Sequence, residues 1–124
     1  QGDAFQKKQS GNGQIRILDY HPVPVVKAVE LAGKVLKVIH TPGHSAGGMS
    51  LYLAGSVFTG DTLFVGSVGR TDLPGSSWDV LEGSIRNKLY VLPGETVVFP
   101  GHNYGPTPTS TIQYERRHNP FVRG

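Results

Sequence analysis

Three short motifs in the sequence place a residue that can bind a metal ion directly after an apolar strand and a glycine. The motifs are VIHTPGH (residues 38–44), VFTGD (57–61) and VVFPGH (97–102). A glycine at a strand end lets the backbone turn sharply and removes the Cβ that would crowd a neighbouring ligand. If the three strand ends lie along one edge of the fold, His44, Asp61 and His102 converge. Imidazole together with carboxylate is a donor set that zinc, iron and manganese accept.

Each of these residues also has a simpler interpretation. A single histidine in a turn usually makes a hydrogen bond within its loop, and an aspartate after glycine is commonly a turn residue or a helix N-cap. The repeated context favours a shared metal site, but the residues alone leave both alternatives open. The other histidines indicate no site, because His40 lies within a strand, and His21 and His118 lie in proline-rich or arginine-rich surface segments.

The glycine-rich segment GSVGRTD (residues 66–72) follows shortly after Asp61. It lacks the Gly-Lys-Ser/Thr ending of a phosphate-binding loop, so a nucleotide site is not indicated. Arg70 either pairs with Asp72 to brace a turn or offers a fixed cation to an anionic substrate at the edge of the site. The chain has no Gly-x-Ser-x-Gly motif, so serine hydrolase chemistry has no support.

Hydrophobic periodicity and turn residues predict the elements that position these residues. We expect strands over residues 15–20, 35–40, 49–53, 56–59, 63–65 and 96–99, with Ala54-Gly55 as a two-residue hairpin turn. A capping box at Ser76-x-x-Asp79 predicts a helix that ends before Pro93-Gly94, and a second helix is expected over residues 109–117. The apolar face expected for the first helix consists of Trp78, Leu81, Ile85 and Leu89. Residues 1–14 are expected to be a frayed end or the remnant of a helix. The pattern is α/β or α+β.

The amino-acid composition argues against several classes of protein and of binding site. The 124 residues include 12 Lys+Arg against 9 Asp+Glu, and the basic residues are scattered, which argues against a nucleic-acid partner. With 17 glycines and 9 prolines, the chain is rich in tight turns. The absence of cysteine excludes disulfides and thiolate-ligated metal sites. No apolar run reaches the roughly 20 residues that cross a bilayer, so we expect no membrane partner and a cytoplasmic protein.

Several segments resemble a known family. TPGHS (residues 41–45), GDTLF (60–64) and PGH (100–102) look like the later metal-binding motifs of the metallo-β-lactamase superfamily. GRTD (69–72) and ERRHNPF (115–121) resemble its glyoxalase II-like (hydroxyacylglutathione hydrolase-like) branch. The resemblance implies half of an αββα sandwich, and a centre of two zinc ions for which iron or manganese could substitute.

By the same resemblance, His44 binds the first ion, His102 the second, and Asp61 bridges them. The implied reaction is hydrolysis of a thioester such as a hydroxyacylglutathione by metal-bound hydroxide, with Asp61 in the catalytic centre. Arg70 corresponds to a basic position that contacts the substrate. Asp72 stands where that branch has an aromatic residue, so the chain departs from the branch's motif for glutathione recognition.

The His-x-His-x-Asp-His motif of this family does not occur in the chain. We therefore expect a C-terminal half that is inactive alone, with residues 1–34 as a partly irregular N-terminal remnant and 35–124 as half of the domain. Its expected partners are a small-molecule thioester and either the missing N-terminal half or another copy of the chain. The alternatives are a mononuclear iron oxidoreductase resembling persulfide dioxygenases, which share a Gly-Arg-Thr-Asp motif, and a non-catalytic fragment.

Overall fold

A computed structural model describes residues 5–7, 16–18 and 25–124 of the chain. An eight-stranded sheet has the order β1-β2-β3-β4-β5-β6-β9-β10, and β7 and β8 form a separate hairpin. All neighbouring strands of the large sheet are antiparallel except β6 and β9, which are parallel. The strands are β1 (Phe5–Lys7), β2 (Arg16–Leu18), β3 (Val25–Leu31), β4 (Lys34–His40), β5 (Met49–Leu53), β6 (Ser56–Gly60), β7 (Leu63–Phe64), β8 (Ser67–Val68), β9 (Val97–Pro100) and β10 (Ser110–Thr111).

Two tight turns set the register of the central strands. Ala54 and Gly55, with φ of 47° and 87°, connect β5 to β6, as the sequence predicts. A second turn of the same kind, Ala32-Gly33 with φ of 54° and 79°, connects β3 to β4. Positive φ at both central residues matches the twist of antiparallel strands, which favours this turn in hairpins. Neither β3 nor its turn is predicted from the sequence pattern.

Two helices cover one face of the sheet. Helix α1 (Trp78–Ser84) continues as a π-helical turn over Ile85–Leu89, and α2 is Ile112–His118. The core between the helices and the sheet is fully buried and apolar, and it includes Val57, Leu63, Leu81, Ile85, Leu89, Val98, Ile112 and Val122. A mixed α/β architecture, with helices on one face of the sheet, confirms the expected fold class.

Helix α1 begins one residue later than the capping box predicts. The N-cap is Ser77, whose hydroxyl accepts from the Val80 backbone N–H, whereas Ser76 Oγ donates to a loop carbonyl. Trp78 is 37% exposed, so it does not complete the apolar face of this helix. Two adjacent serines both fit the capping pattern, and only tertiary contacts decide between them.

The chain ends differ from expectation in three places. Residues 5–7 form a strand rather than a frayed end or helix remnant, and β2 occupies the centre of the segment predicted over 15–20. The predicted closing helix starts at Ile112, because Ser110 and Thr111 pair with Val98 and Val97 as an edge strand. The expectations for the other residues of the first 24 lie outside the described residues.

The opposite face of the sheet carries exposed aromatic rings. Phe58 and Phe99 are cross-strand partners on β6 and β9, with ring centroids 5.0 Å apart, and both are more than a third exposed. Met49 on β5 is 53% exposed. A sheet with one face packed against helices and an apolar second face is suited to a further layer of structure. Among the described residues, no helix is long and apolar enough to cross a membrane.

Tyr90 anchors the C-terminal segment to the helical layer. Its buried hydroxyl donates to the backbone carbonyls of Val122 (2.8 Å) and Glu115 (3.2 Å). Burial first, and then the negative charge of Glu115, raise the pKa of Tyr90 above its usual value. The folded state therefore holds the phenol proton more tightly than the unfolded chain does.

We predict two effects of Tyr90→Phe. At pH 7 the loss of the hydroxyl contacts lowers the free energy of unfolding by about 1–2 kcal/mol. The protonated phenol stabilises the fold fully below the unfolded pKa of about 10, and this contribution is lost as pH rises above it. The wild type should therefore lose more stability than Tyr90→Phe between pH 9 and pH 11, measured by urea denaturation. Equal losses in both proteins would contradict the buried-phenol assignment.

Candidate metal centre

The loop after β4 presents His44 by packing tightly against α1. Gly43 has a φ of +136°, and a Cβ at this position would overlap the backbone of Leu81. The Gly43 carbonyl accepts from Ser77 N–H (2.8 Å), and the His44 carbonyl accepts from Ser76 Oγ (2.8 Å). Only glycine combines this backbone conformation with this close approach. The loop therefore depends on the start of α1 for its position.

Asp61 and His102 follow two strands that lie side by side. Strands β6 and β9 run parallel, so their carboxyl ends meet at one edge of the sheet. The Gly101 backbone N–H donates to the Gly60 carbonyl at 2.8 Å and joins the two strand ends. The residues that follow these two glycines, Asp61 and His102, project their side chains from the same edge.

The structure brings His44, Asp61 and His102 together around one carboxylate. His102 Nδ1 lies 2.9 Å from Asp61 Oδ1, and His44 Nε2 lies 3.6 Å from Asp61 Oδ2. The three side chains are partly exposed, at 25%, 41% and 52% for His44, Asp61 and His102. A ligand can thus reach each of them from solvent.

Hydrogen bonds define which ring nitrogen atoms of His44 and His102 can still bind a metal ion. His44 Nδ1 lies 2.9 Å from the Arg70 carbonyl, which can only accept, so Nδ1 carries a proton. In the neutral ring, Nε2 then holds a lone pair. His102 Nδ1 donates to the Asp61 carboxylate, which leaves the lone pair of its neutral ring on Nε2.

With the His44 ring neutral, His44 Nε2 and Asp61 Oδ2 are two acceptors that face each other at 3.6 Å. Such a pair is stabilised by a positive charge between the two atoms. Metal bonds to imidazole and carboxylate are each about 2.0–2.2 Å, so both atoms can bind one ion at this separation. The donor set and its spacing fit a transition-metal ion.

The described residues supply only part of a metal site. Residues 5–7, 16–18 and 25–124 contain no group of three or more His, Cys, Asp or Glu side chains arranged to hold one ion. His44 and Asp61 offer two donors to one ion, and His102 offers Nε2 to a position on the other side of the carboxylate. Further donors would have to come from solvent or from another segment.

A cavity of about 300 Å³ opens over these residues. Its wall includes Phe64, Ser67, Val68, Gly69, Arg70 and Tyr104. Tyr104 stacks on the His102 ring, with centroids 5.0 Å apart and planes 5° from parallel, and Phe64 packs edge-on against Tyr104 at 5.1 Å. The sequence motifs do not predict a role for either aromatic residue, although Tyr104 follows His102 by two positions and Phe64 follows Asp61 by three.

Arg70 lies at the mouth of the cavity and is held by Asp72. Its Nε and one terminal nitrogen donate to the two Asp72 carboxylate oxygens at 2.7 and 3.0 Å. This paired hydrogen bond raises the pKa of Arg70 and lowers the pKa of Asp72. Arg70 can therefore brace the turn and still offer a cation to a substrate, because the second terminal nitrogen of the guanidinium is not used by Asp72. A fixed planar cation thus borders the cavity.

Among the described residues, the other two histidines, His40 and His118, lie away from the cavity wall. His40 Nε2 donates to the Ala46 carbonyl at 2.9 Å, and the His118 ring packs against Tyr114 with centroids 4.6 Å apart. His21 lies outside the described residues.

Comparison with known proteins identifies related sequences. The family model of the metallo-β-lactamase superfamily matches residues 2–102. The probable metallo-hydrolase YqgX of Bacillus subtilis is 37% identical over 123 residues, covering 93% of this chain and 56% of YqgX. The hydroxyacylglutathione hydrolase GloC of Haemophilus influenzae is 38% identical over 96 residues, covering 76% of this chain and 43% of GloC. The chain thus spans about half the length of these relatives.

Solved structures show the same similarity. ETHE1 from Myxococcus xanthus superimposes with a TM-score of 0.72 at 41% identity, covering 75% of this chain and 41% of that one. TTHA1623 in a di-iron-bound form superimposes with a TM-score of 0.64 at 46% identity, covering 70% of this chain and 42% of that one. A related protein with this fold therefore binds two iron ions.

We predict that Gly69→Ala disrupts the candidate metal centre. A Cβ at Gly69 would overlap the carbonyl oxygen of Asp61, so the β7–β8 hairpin or the Asp61 backbone must move. We expect a loss of about 2–3 kcal/mol in the free energy of unfolding, measured by urea denaturation. Gly47→Ala is the matched control, since its Cβ would meet no atom within 4 Å. Equal stability of the two variants would refute the close approach at Gly69.

Proposed function

The chain belongs to the metallo-β-lactamase superfamily, and we propose that it forms one part of a glyoxalase II-like metallohydrolase. The observation that carries this proposal is the pair of facing acceptors, His44 Nε2 and Asp61 Oδ2, beneath an open cavity. A hydrolase relative and a hydroxyacylglutathione hydrolase relative support the reaction class.

We assign the metal-binding role to His44, Asp61 and His102, with zinc as the cofactor and iron or manganese as substitutes. When bound, such an ion lowers the pKa of a coordinated water and polarises a carbonyl group. The chain's own part is to fix the ligands. The Arg70 carbonyl sets the tautomer of His44, and Asp61 orients the His102 ring. Carbonyl and carboxylate partners of this kind hold metal-binding histidines in place.

The proposed substrate is a thioester with an anionic group, such as a hydroxyacylglutathione. Arg70 provides a fixed guanidinium at the cavity mouth, and hydrogen bonds from this group suit a carboxylate. Phe64 and Tyr104 supply an apolar wall on the other side. The Asp72 carboxylate beside Arg70 also repels anions. We therefore expect weaker recognition of glutathione than in enzymes with an aromatic residue here.

A second candidate is a mononuclear iron oxidoreductase of the persulfide dioxygenase type. One observation favours it: the described residues place two donors, from His44 and Asp61, around one ion position, whereas His102 contacts the other Asp61 oxygen through Nδ1. The Gly69–Asp72 motif resembles both groups of enzymes. Metal content and oxygen consumption distinguish the two reactions.

The partner that we propose is a segment equivalent to the N-terminal half of the longer relatives, or a second copy of the chain. The apolar face around Phe58 and Phe99 is where such a layer would pack. It would also bring the donors that complete the centre. We also propose that the protein is cytoplasmic and that it binds neither nucleic acids nor membranes.

The test is metal binding followed by turnover. We expect calorimetry to show zinc binding by the 124-residue chain. His44→Ala or Asp61→Asn should weaken the affinity about tenfold or more, because mutating residues that only orient a metal ligand already costs about tenfold to hundredfold. His118→Ala is the control, because this ring packs against Tyr114 away from the cavity. We expect thioester hydrolysis only when the chain is combined with the N-terminal half of a relative such as YqgX.

Two results would overturn the proposal. Zinc affinity that is unchanged in both His44→Ala and Asp61→Asn would remove the metal centre. Oxygen consumption with a persulfide and iron, without thioester hydrolysis, would replace the hydrolase with the second candidate.

A further inference from the structure

A buried carboxylate lies on α2, outside the residues assigned to the metal centre. Glu115 is fully buried, and its Oε1 accepts from the Gly66 backbone N–H (3.0 Å) and from Asn119 Nδ2 (2.9 Å). Its Oε2 is buried and has no hydrogen-bond partner among the described residues. Burying a carboxylate with an unused oxygen costs stability, and an apolar side chain would often be cheaper. The fold therefore tolerates Glu115 at a cost.

Asn119 extends the contact made by Glu115. Its Nδ2 also donates to the Ser67 carbonyl (3.1 Å), and its Oδ1 accepts from the backbone N–H groups of Phe121 and Val122 (2.9 and 3.3 Å). Asn119 is fully buried. Together, Glu115 and Asn119 hold the turn of the β7–β8 hairpin at two consecutive residues, and we call these two side chains the α2 clamp.

The clamped hairpin leads directly to the candidate metal centre. Gly69 follows β8, donates its N–H to Thr62 (3.1 Å) and packs against the Asp61 carbonyl. The next residue, Arg70, accepts from His44 Nδ1 through its carbonyl. Only two residues of chain therefore separate the clamp at Ser67 from Arg70, whose carbonyl sets the His44 tautomer.

We propose that Glu115 and Asn119 are positioning residues for the metal centre. The α2 clamp fixes the hairpin, the hairpin fixes the Arg70 carbonyl, and that carbonyl keeps the proton on His44 Nδ1 so that Nε2 faces Asp61. The proposal rests on the proposed function insofar as His44 is a metal ligand. The α2 clamp would therefore control the geometry of the metal ligands, although α2 touches neither the cavity nor the ligands.

The experiment compares Glu115→Ala, Asn119→Ala and Glu115→Gln in the 124-residue chain without metal. Nitrogen-15 NMR at pH 8 reads the protonation of His44 Nδ1, and hydrogen exchange reads the Gly66 and Gly69 amides. In both alanine variants we expect the Nδ1-protonated signal of His44 to be replaced by a mixture of tautomers. We also expect both amides to exchange about fivefold to tenfold faster, as for the loss of one hydrogen bond. Glu115→Gln keeps an oxygen at the Oε1 position and should retain the wild-type signals.

Leu89→Ala is the matched control, since it opens a cavity in the core and removes none of the hydrogen bonds from Glu115 and Asn119 to the hairpin. It should lower stability with no change at His44. Equal His44 spectra in Leu89→Ala and the clamp variants would show that the clamp is only structural and would overturn the proposal. If the alanine variants do not fold, amide hydrogen exchange in the wild-type protein tests the proposal instead. Gly69 exchanging by local opening at least tenfold faster than Gly66 would also overturn it.

Zinc affinity separates this proposal from the proposed function. A changed His44 tautomer in the clamp variants, with no zinc binding in any protein, would support the clamp and refute the metal centre. Weaker zinc binding in the alanine variants, with rescue in Glu115→Gln, would support both.

Discussion

The Asp61 carboxylate between two imidazoles is the contact on which the arrangement of this edge of the sheet depends. One oxygen accepts from His102, and the other lies 3.6 Å from His44 Nε2. When the His44 ring is neutral, these two atoms are both acceptors, and a positive charge between them stabilises the pair. The surrounding structure holds them there through the parallel β6–β9 pair, the Gly43 loop on α1 and the Arg70 carbonyl. A rigid scaffold that keeps an electrostatically costly arrangement is characteristic of functional sites.

The sequence predicts this edge well because strand ends and glycines are local signals. The three strand-glycine-ligand motifs, the Ala54-Gly55 turn and the succession of helix, strand and helix all follow from periodicity and turn chemistry. Strand β3 was missed because Pro22 and Pro24 precede it and Lys27 and Glu30 interrupt its apolar residues. The start of α1 was misplaced by one residue because Ser76 and Ser77 are equally good caps locally. Only the hydrogen bond from Ser76 to the His44 carbonyl distinguishes them.

Other features of the site depend on contacts between distant segments. Phe64 packs against Tyr104 across 40 positions of the chain, and Glu115 reaches Gly66 across 49 positions. A tyrosine or a glutamate near the end of the chain carries no local signal for either role. The pairing of Arg70 with Asp72, in contrast, spans two residues and was one of the two interpretations of that loop. Sequence separation therefore decides which parts of the site can be predicted.

The most direct test of the metal centre is anomalous scattering at the zinc edge, from crystals of the chain grown with zinc. We expect a peak bonded to both His44 Nε2 and Asp61 Oδ2, at about 2.0–2.2 Å from each. A second ion, if present, should lie beside His102 Nε2. Crystals saturated with zinc that show no peak in contact with His44 and Asp61 would refute the metal centre.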